Sequence, residues 1–562
     1  MRYYISPTGS DSNDGLTPSS AFLTLSQAHT ACSAGDIIEL TGGTFSASNF
    51  VADITKDNIT IIGQNQGIDP NTGQRGEESN IAGYVDPMIT FYGDNCEING
   101  IEFSGSAHRT IRYSGCTGMK IRYNIIGNNS TRRYYIYGLN SPEAEISYNK
   151  MYGCYYGMNI VGQCDNTKIH HNYLSDISGY FVCGISVSTG NGSVVLDGVE
   201  IYENTIWDLK NSGCGIIVGG GTGASGKFEN SKIYNNYIYQ CECSSEQTNG
   251  IVFASLVYDC EIYGNTIKNL DTPIYSYWQV HGSNIYNNKF INCQVAIRFD
   301  NYYNAASSQG EIIITDNHVE SDPKMFAWNW GQFFIVGMGI PTTISGNRVF
   351  YKSGVVGSEV NKIWGDDWVG GSCYGVMVYG SKLDDLTITD NQFYMGKTVA
   401  AQTYIDDGNT KTIDVDYTRP YGVVLFTVST AGTLPSGADI TIKNNKIYDS
   451  IDGGGVALRD SVNNLWGQIP ANVTTDLTQN VFNNCKNGVT GGAGTIADAK
   501  VSQWGNGSKP SGGLADPSTG TVANGVGSIV SSGVYFDPVD TTIYRNNAIA
   551  IFRPLGTDIK SV

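Results

Sequence analysis

The sequence predicts an all-β solenoid of stacked coils, and three observations carry the prediction. First, a short pattern recurs: apolar, two residues, Asn, one residue, apolar. It starts at Ile121, Ile146, Ile169, Ile201, Ile233, Ile262, Ile285, Ile314, Ile344, Ile388, Ile442 and Leu477. Second, β-branched and aromatic residues alternate with polar ones between the copies, and Gly and Asn interrupt them, which is a strand-and-turn pattern with little helical period. Third, charged residues are only 15% of the 562, and polarity comes instead from Asn, Ser, Thr, Gly and 36 Tyr. One coil of short strands cannot bury its apolar side alone. Stacking successive coils closes a continuous core and lets each strand pair with the next.

Each element follows from the pattern. The Asn is expected at one corner of every coil, in a turn conformation, with its side chain bonded to neighbouring backbone. The opening stretch YYISPTGSDSNDGLTPSSAFLTLSQAHTACSAGDIIELTGGTF resembles the start of the pectate-lyase-like superfamily. The Asn-bearing coils of residues 1 to about 485 resemble the same group. That resemblance implies a right-handed, single-stranded parallel β-helix of about twelve or more coils. It also implies an N-terminal cap over 1–35, with a helix in AFLTLSQAHTAC, and coils over 36–485. A cap is needed because an open end exposes core and strand edges. Residues 486–562, rich in Gly, Ser, Thr and Ala, read as an irregular C-terminal segment and a cap or assembly element. The superfamily carries lyases, hydrolases and inert virion parts, so the fold by itself does not choose a function.

Composition excludes several classes. Net charge is −18, from 52 acids against 34 bases, which argues against nucleic acid or an anionic membrane as partner. No run of 18 apolar residues exists, and residues 1–15 hold no signal-peptide core. The 13 cysteines include no CxxC pair and no zinc spacing, and they read as buried small apolar residues of a chain made in a reducing compartment. The SDSNDG segment reads as a turn and not as a calcium loop. No metal and no cofactor is expected.

The Asn positions also act as a ruler. Asn317 to Asn347 is 30 residues, but Asn347 to Asn391 is 44 and Asn391 to Asn445 is 54. Two coils therefore carry insertions, near 350–385 and 395–440, and insertions in solenoids commonly bind. The first holds NKIWGDDWVGG, with Asp366 and Asp367 between Trp364 and Trp368. Trp328 and Trp330 precede it. Indoles are platforms for sugar rings, and glycoside hydrolysis needs two carboxylates. Asp366, Asp367, Glu359 and Asp406 are the catalytic candidates, with Asp384, Asp385 and Asp407 as alternatives. The plainer reading is a loop whose indoles pack on the coils and whose carboxylates are solvated.

A basic cluster competes: His108, Arg109, Arg112, Lys120, Arg122, Arg132 and Arg133. Arg109 and Arg133 are expected to stack on neighbouring coils and to hold a uronate carboxylate for β-elimination. The plainer reading is a solvated stripe. His170 and His171 read as coil residues. Taken together, these features suit a bacteriophage tailspike-like protein that binds and cleaves a bacterial surface polysaccharide. It would be a homotrimer, held with other virion proteins through its C-terminal segment or a partner. Two alternatives stand: a non-catalytic virion appendage, and an extracellular polysaccharide lyase acting on uronates.

Overall fold

Strands of two to nine residues, joined by tight corners, make up most of the computed structural model. It describes residues 1–104, 108–127, 134–177, 183–190, 194–209, 213–219, 226–239, 248–276, 278–293, 295–299, 310–321, 331–338, 340–351, 374–382 and 385–395. Beyond these it describes 403–406, 409–412, 421–427, 439–448, 454–459, 474–476, 479–483, 487–490, 535–536 and 543–544. Each coil contributes one strand to each of three parallel stacks, so the chain is a right-handed parallel β-helix.

Two units divide the chain, Met1–Ser283 and Asn284–Val562. In the first unit one coil runs Lys120–Arg122 in the first stack, Ile125–Gly127 in the second and Tyr134–Leu139 in the third. The next coil begins at Glu145–Ser147. In the second unit a coil runs His318–Ser321 (second stack), Gly331–Met338 (third) and Thr342–Ser345 (first). A fourth, short parallel sheet joins Val195–Asp197, Lys227–Glu229, Leu256–Tyr258 and Val280–His281 of the first unit.

The core is made of in-register apolar columns. Ile98, Ile121, Ile146, Ile169, Ile201, Ile233 and Ile262 pair one above another in the first stack, and all are fully buried. Outside this column runs an alternating charge row in which Lys120 pairs with Glu97 and Glu145, Lys168 with Glu145 and Glu200, and Lys232 with Glu200 and Glu261. Lys232 Nζ lies 3.2 Å from Glu261. Opposite charges directly across a ladder favour this register, and a slip by one coil would set like charges together.

The recurring Asn occupies the corner between first and second stacks, as expected, and is buried in every described copy from Asn124 to Asn480. Its amide is fully used. The Asn149 N–H and its Nδ2 both donate to Asn172 Oδ1 at 3.0 Å, and Nδ2 also reaches Ile121 O at 2.8 Å. The turn conformation lies one residue earlier than the sequence suggested. The residue before each Asn has positive φ, for example Tyr123 at 57°, His171 at 54° and Asp390 at 60°. Gly264 and Gly346 fill this position in two coils, at φ 66° and 67°.

The N-terminal helix is shorter than the expected AFLTLSQAHTAC, spanning Leu25–Ala31. Phe22 instead pairs with Ile5 in a bridge, and the Thr24 side chain accepts from Gln27 N as N-cap. Lys56 Nζ closes the other end, donating to Cys32 O at 2.6 Å. Leu25 and Ala28 are fully buried. SDSNDG is the expected turn. Asp11 accepts from the backbone N–H of Leu23 and Thr24, and Asp14 accepts from Leu16 N and Ser20 Oγ.

Cys32, Cys96, Cys116, Cys164, Cys183, Cys260 and Cys293 are buried thiols outside any disulfide, and Cys214 is a half-buried one. Burial pushes the Cys164 thiol up to about 11 and the Cys260 thiol up to about 12. Iodoacetamide at pH 8.5 will therefore leave both unmodified in the native protein and modify both in denaturant. Native labelling of either, mapped by mass spectrometry, would contradict this burial. Replacing Asn172 by Ala strips the acceptor from Asn149 N–H and Nδ2, and the donor from Ile146 O. The expected cost is about 2–4 kcal/mol in denaturant unfolding. Lys232→Ala, which loses a half-exposed pair, should cost less than about 1 kcal/mol.

Candidate functional site

The corner between the second and third stacks carries the two longest connections between stacks in the second unit. In the second unit, 322–330 joins His318–Ser321 to Gly331–Met338. Then 352–373 joins Arg348–Tyr351 to Tyr374–Lys382, and 395–420 joins Gln392–Tyr394 to Tyr421–Thr427. Two consecutive coils thus enlarge the same corner, by 352–373 and 395–420, with the nine-residue connection 322–330 one coil before them. Trp328 and Trp330 belong to the first of these segments, and Glu359, Trp364, Asp366, Asp367 and Trp368 to the second. All seven lie outside the described residues. Asp406 ends the strand Thr403–Asp406, which forms an antiparallel hairpin with Asn409–Thr412 in the third segment. Of the alternatives, Asp385 lies in the third-to-first-stack connection, where its Oδ1 accepts from Asp439 N. Asp384 and Asp407 lie outside the described residues.

In the first unit the same corner carries the basic cluster, but the structure splits it. Arg109 opens the third-stack strand Arg109–Ser114, and its in-register neighbour is Tyr134. Arg133, one residue earlier, lies outside the described residues with Arg132. The expected stacking of Arg109 on Arg133 is off by one, because this coil is 25 residues long and not 24. Lys120 and Arg122 belong to the first stack, where Arg122 lies 4.0 Å from Glu97 and 3.5 Å from Glu145. Those two are spent on the charge row.

Arg109 and Arg112 remain together on the third stack. Neither has an ion pair among the described residues. Asp86 Oδ1 accepts from the Arg109 backbone N–H at 2.9 Å. The Arg112 Nε is buried without a hydrogen-bond partner. Tyrosines line the arginines. Arg109 Cζ stands 5.4 Å from the Tyr137 ring centre, and Arg112 pairs in register with Tyr137. Tyr134 lies 5.7 Å from Tyr137 and 5.0 Å from Tyr156, and the His108 ring meets Tyr134 edge-on at 5.8 Å. Burial pushes the Tyr156 hydroxyl up to about 12, so it stays a neutral donor. Two guanidiniums in no ion pair among the described residues, on a tyrosine floor, are equipped to bind an anionic or polar group. Sequence reading missed Tyr134, Tyr137 and Tyr156. The signal was present, since Tyr134 follows Arg109 by one 25-residue coil.

His170 and His171 are coil residues, as expected, with specific partners. His170 stacks on Tyr202 at 4.6 Å and sits 3.6 Å from Glu145; His171 stacks on Tyr148 and pairs with Glu203 at 2.7 Å. Among the described residues no cluster of three or more His, Cys, Asp or Glu could hold a metal, and no helix is long and apolar enough to cross a membrane.

No family model matches the sequence, and no curated protein matches it. Solved structures do. A rhamnogalacturonan lyase is 17% identical, with a TM-score of 0.36, over 55% of this chain and 86% of its own. A lacto-N-biosidase from Eubacterium ramulus is 13% identical at a TM-score of 0.37, over 62% of this chain and 68% of its own. An α-1,3-glucanase from Streptomyces thermodiastaticus is 12% identical at a TM-score of 0.33, over 81% of this chain and 65% of its own. Each is a likeness of coordinates, and nothing about the activity of this chain follows from it.

The His170 imidazole beside it, with Arg122 behind, holds the Glu145 carboxyl below its ordinary value of 4.5. A depressed carboxylate adds stability above the ordinary value and loses it as pH falls through the folded one. Glu145→Gln should therefore be less stable than wild type above about pH 4.5 and should lose less on acidification below it. Parallel pH–unfolding curves for the two proteins would contradict this.

Proposed function

We propose that this chain binds and cleaves a bacterial surface polysaccharide, in the manner of a bacteriophage tailspike. The observation that carries the reading is the enlargement of one corner in two consecutive coils, by 352–373 and 395–420. Those two segments and the adjoining 322–330 hold four of the eight tryptophans and the acids Glu359, Asp366, Asp367 and Asp406. Indoles supply flat apolar faces for sugar rings. A carboxylic acid protonates the leaving oxygen, and a second carboxylate activates water or attacks the anomeric carbon. Assembly as a homotrimer, on a virion with other virion proteins, belongs to the same proposal.

One observation favours a second reading. The Arg109 and Arg112 side chains make no ion pair among the described residues, and the row that starts at Arg109 continues through Tyr134 to Tyr156. That set suits charge neutralisation of a uronate, the step a polysaccharide lyase needs before removing the proton next to the carboxylate.

The test is digestion of a panel of capsular and O-antigen polysaccharides, followed by reducing ends and near-ultraviolet absorbance together. New ends without absorbance support hydrolysis, and Asp366→Asn or Asp367→Asn should then slow it by about a hundredfold or more. Ends with absorbance mark β-elimination and move the chemistry to the arginines. A protein that binds a polymer and cuts none is a non-catalytic appendage, and the cleavage reading fails.

A further inference from the structure

We propose that the outer face of the second stack in the first unit is a binding surface for a linear acidic polysaccharide, separate from the enlarged corner. The proposal rests on the carbohydrate reading above but uses none of its residues. One outward row of this face runs, coil by coil, through Gly127, Tyr152, Ser175, Trp207, Tyr239 and Lys268. Tyr152 there stands between Gly127 and Ser175, and Trp207 between Ser175 and Tyr239. The parallel outward row adds Lys150, Tyr173 and Tyr237, with Thr205 between the two tyrosines.

The residue one coil before each ring decides how that ring lies. On the first stack Tyr202, Tyr234 and Tyr263 follow one another without a break. They stack face to face at 4.7 and 4.9 Å, within 4° of parallel, so they present edges to solvent. On the second stack Tyr152 has Gly127 beneath it. A Cβ at Gly127 would come within 2.2 Å of Tyr152 Cζ and 2.4 Å of both Cε atoms. The ring therefore lies across the bare glycine with its other face outward. Trp207 follows Ser175 and is part-exposed, while its Nε1 is buried and has no hydrogen-bond partner. The indole thus keeps its polar edge hidden and its exposed area apolar. Apolar ring faces are what the C–H face of a sugar packs against.

Spacing and charge select the occupant. Tyr152 and Trp207 are two coils apart, roughly 9.6 Å at the ordinary strand spacing, which is about the length of a disaccharide. A chain lying along the coil axis would place every second sugar over a ring. From Glu102, one coil before Ile125, to Lys268 the two rows hold two cations, Lys150 and Lys268, against one acid, so cations outnumber acids here in a protein of net charge −18. Lys268 Nζ stands 5.3 Å from the Tyr237 ring and Lys150 Nζ stands 6.0 Å from that of Tyr173. A polymer with carboxylates would complement them, and a neutral one would leave them unpaired.

The test is affinity electrophoresis of the full chain in gels containing alginate, polygalacturonate, hyaluronan or xanthan, with dextran as the neutral polymer. Each variant is checked for an unchanged melting curve. Wild type should be retarded by at least one acidic polymer and less by dextran. Tyr152→Ala with Trp207→Ala should weaken that retardation about tenfold. Gly127→Ala should weaken it too, because the new methyl group unseats the Tyr152 ring, and Lys150→Met with Lys268→Met should remove the preference for acidic polymers. Wild-type retardation in the ring variants, from a protein that binds or cuts a polymer, overturns this surface and leaves the proposed function standing. Equal retardation by dextran overturns the acidic class. Failure to bind or cut any polymer overturns both.

Discussion

A buried primary amide at one corner of each coil is the interaction on which the rest depends. Parallel strands three residues long offer few hydrogen bonds of their own, and every corner leaves backbone groups that would be costly to bury unpaired. The Asn side chain answers both needs. Its oxygen accepts the N–H of the Asn one coil before, and its nitrogen donates to a carbonyl of the same preceding coil. Only a short amide, carrying donor and acceptor together, can repeat this arrangement indefinitely along a stack. The left-handed residue just ahead of it turns the chain sharply enough to start the next strand.

With that corner locked, register is inherited from coil to coil, and outward positions become columns of chemistry. On the first stack the column is alternately Glu and Lys, followed by aromatic rings packed face to face. The result is a self-satisfied surface with its charges neutralised in place. On the third stack Arg109 and Arg112 escape such pairing and meet tyrosines instead. The corner between second and third stacks is also free of the amide column, so chain can be added there without breaking it. That is a physical reason for the long segments to emerge where they do: 352–373 and 395–420 lengthen a turn the core does not need.

Much of this was legible in the residues. The Asn spacing located the coils, the Ile columns located the core, and the break in spacing after Asn347 located the enlarged coils. The helix was placed correctly but drawn too long, because Phe22 is claimed by Ile5 before the helix begins. The basic cluster was legible as a run of bases, but not as two groups on different faces. Lys120 and Arg122 are close to Arg109 in sequence and belong to another stack. A one-residue error in coil length was enough to set Arg109 beside Arg133 instead of Tyr134.

By itself the sequence determined the coil, its repeat, its core and the coils that carry extra chain, because those follow from local patterning and period. Tertiary structure alone decided which residues share a face. In a solenoid, neighbours on a face are separated by a whole coil, and coil length varies from one turn to the next. Contact between Arg109 and Tyr137, or of the Tyr152 ring with Gly127, is set by the register that the buried amides impose, and no short stretch of sequence contains that register.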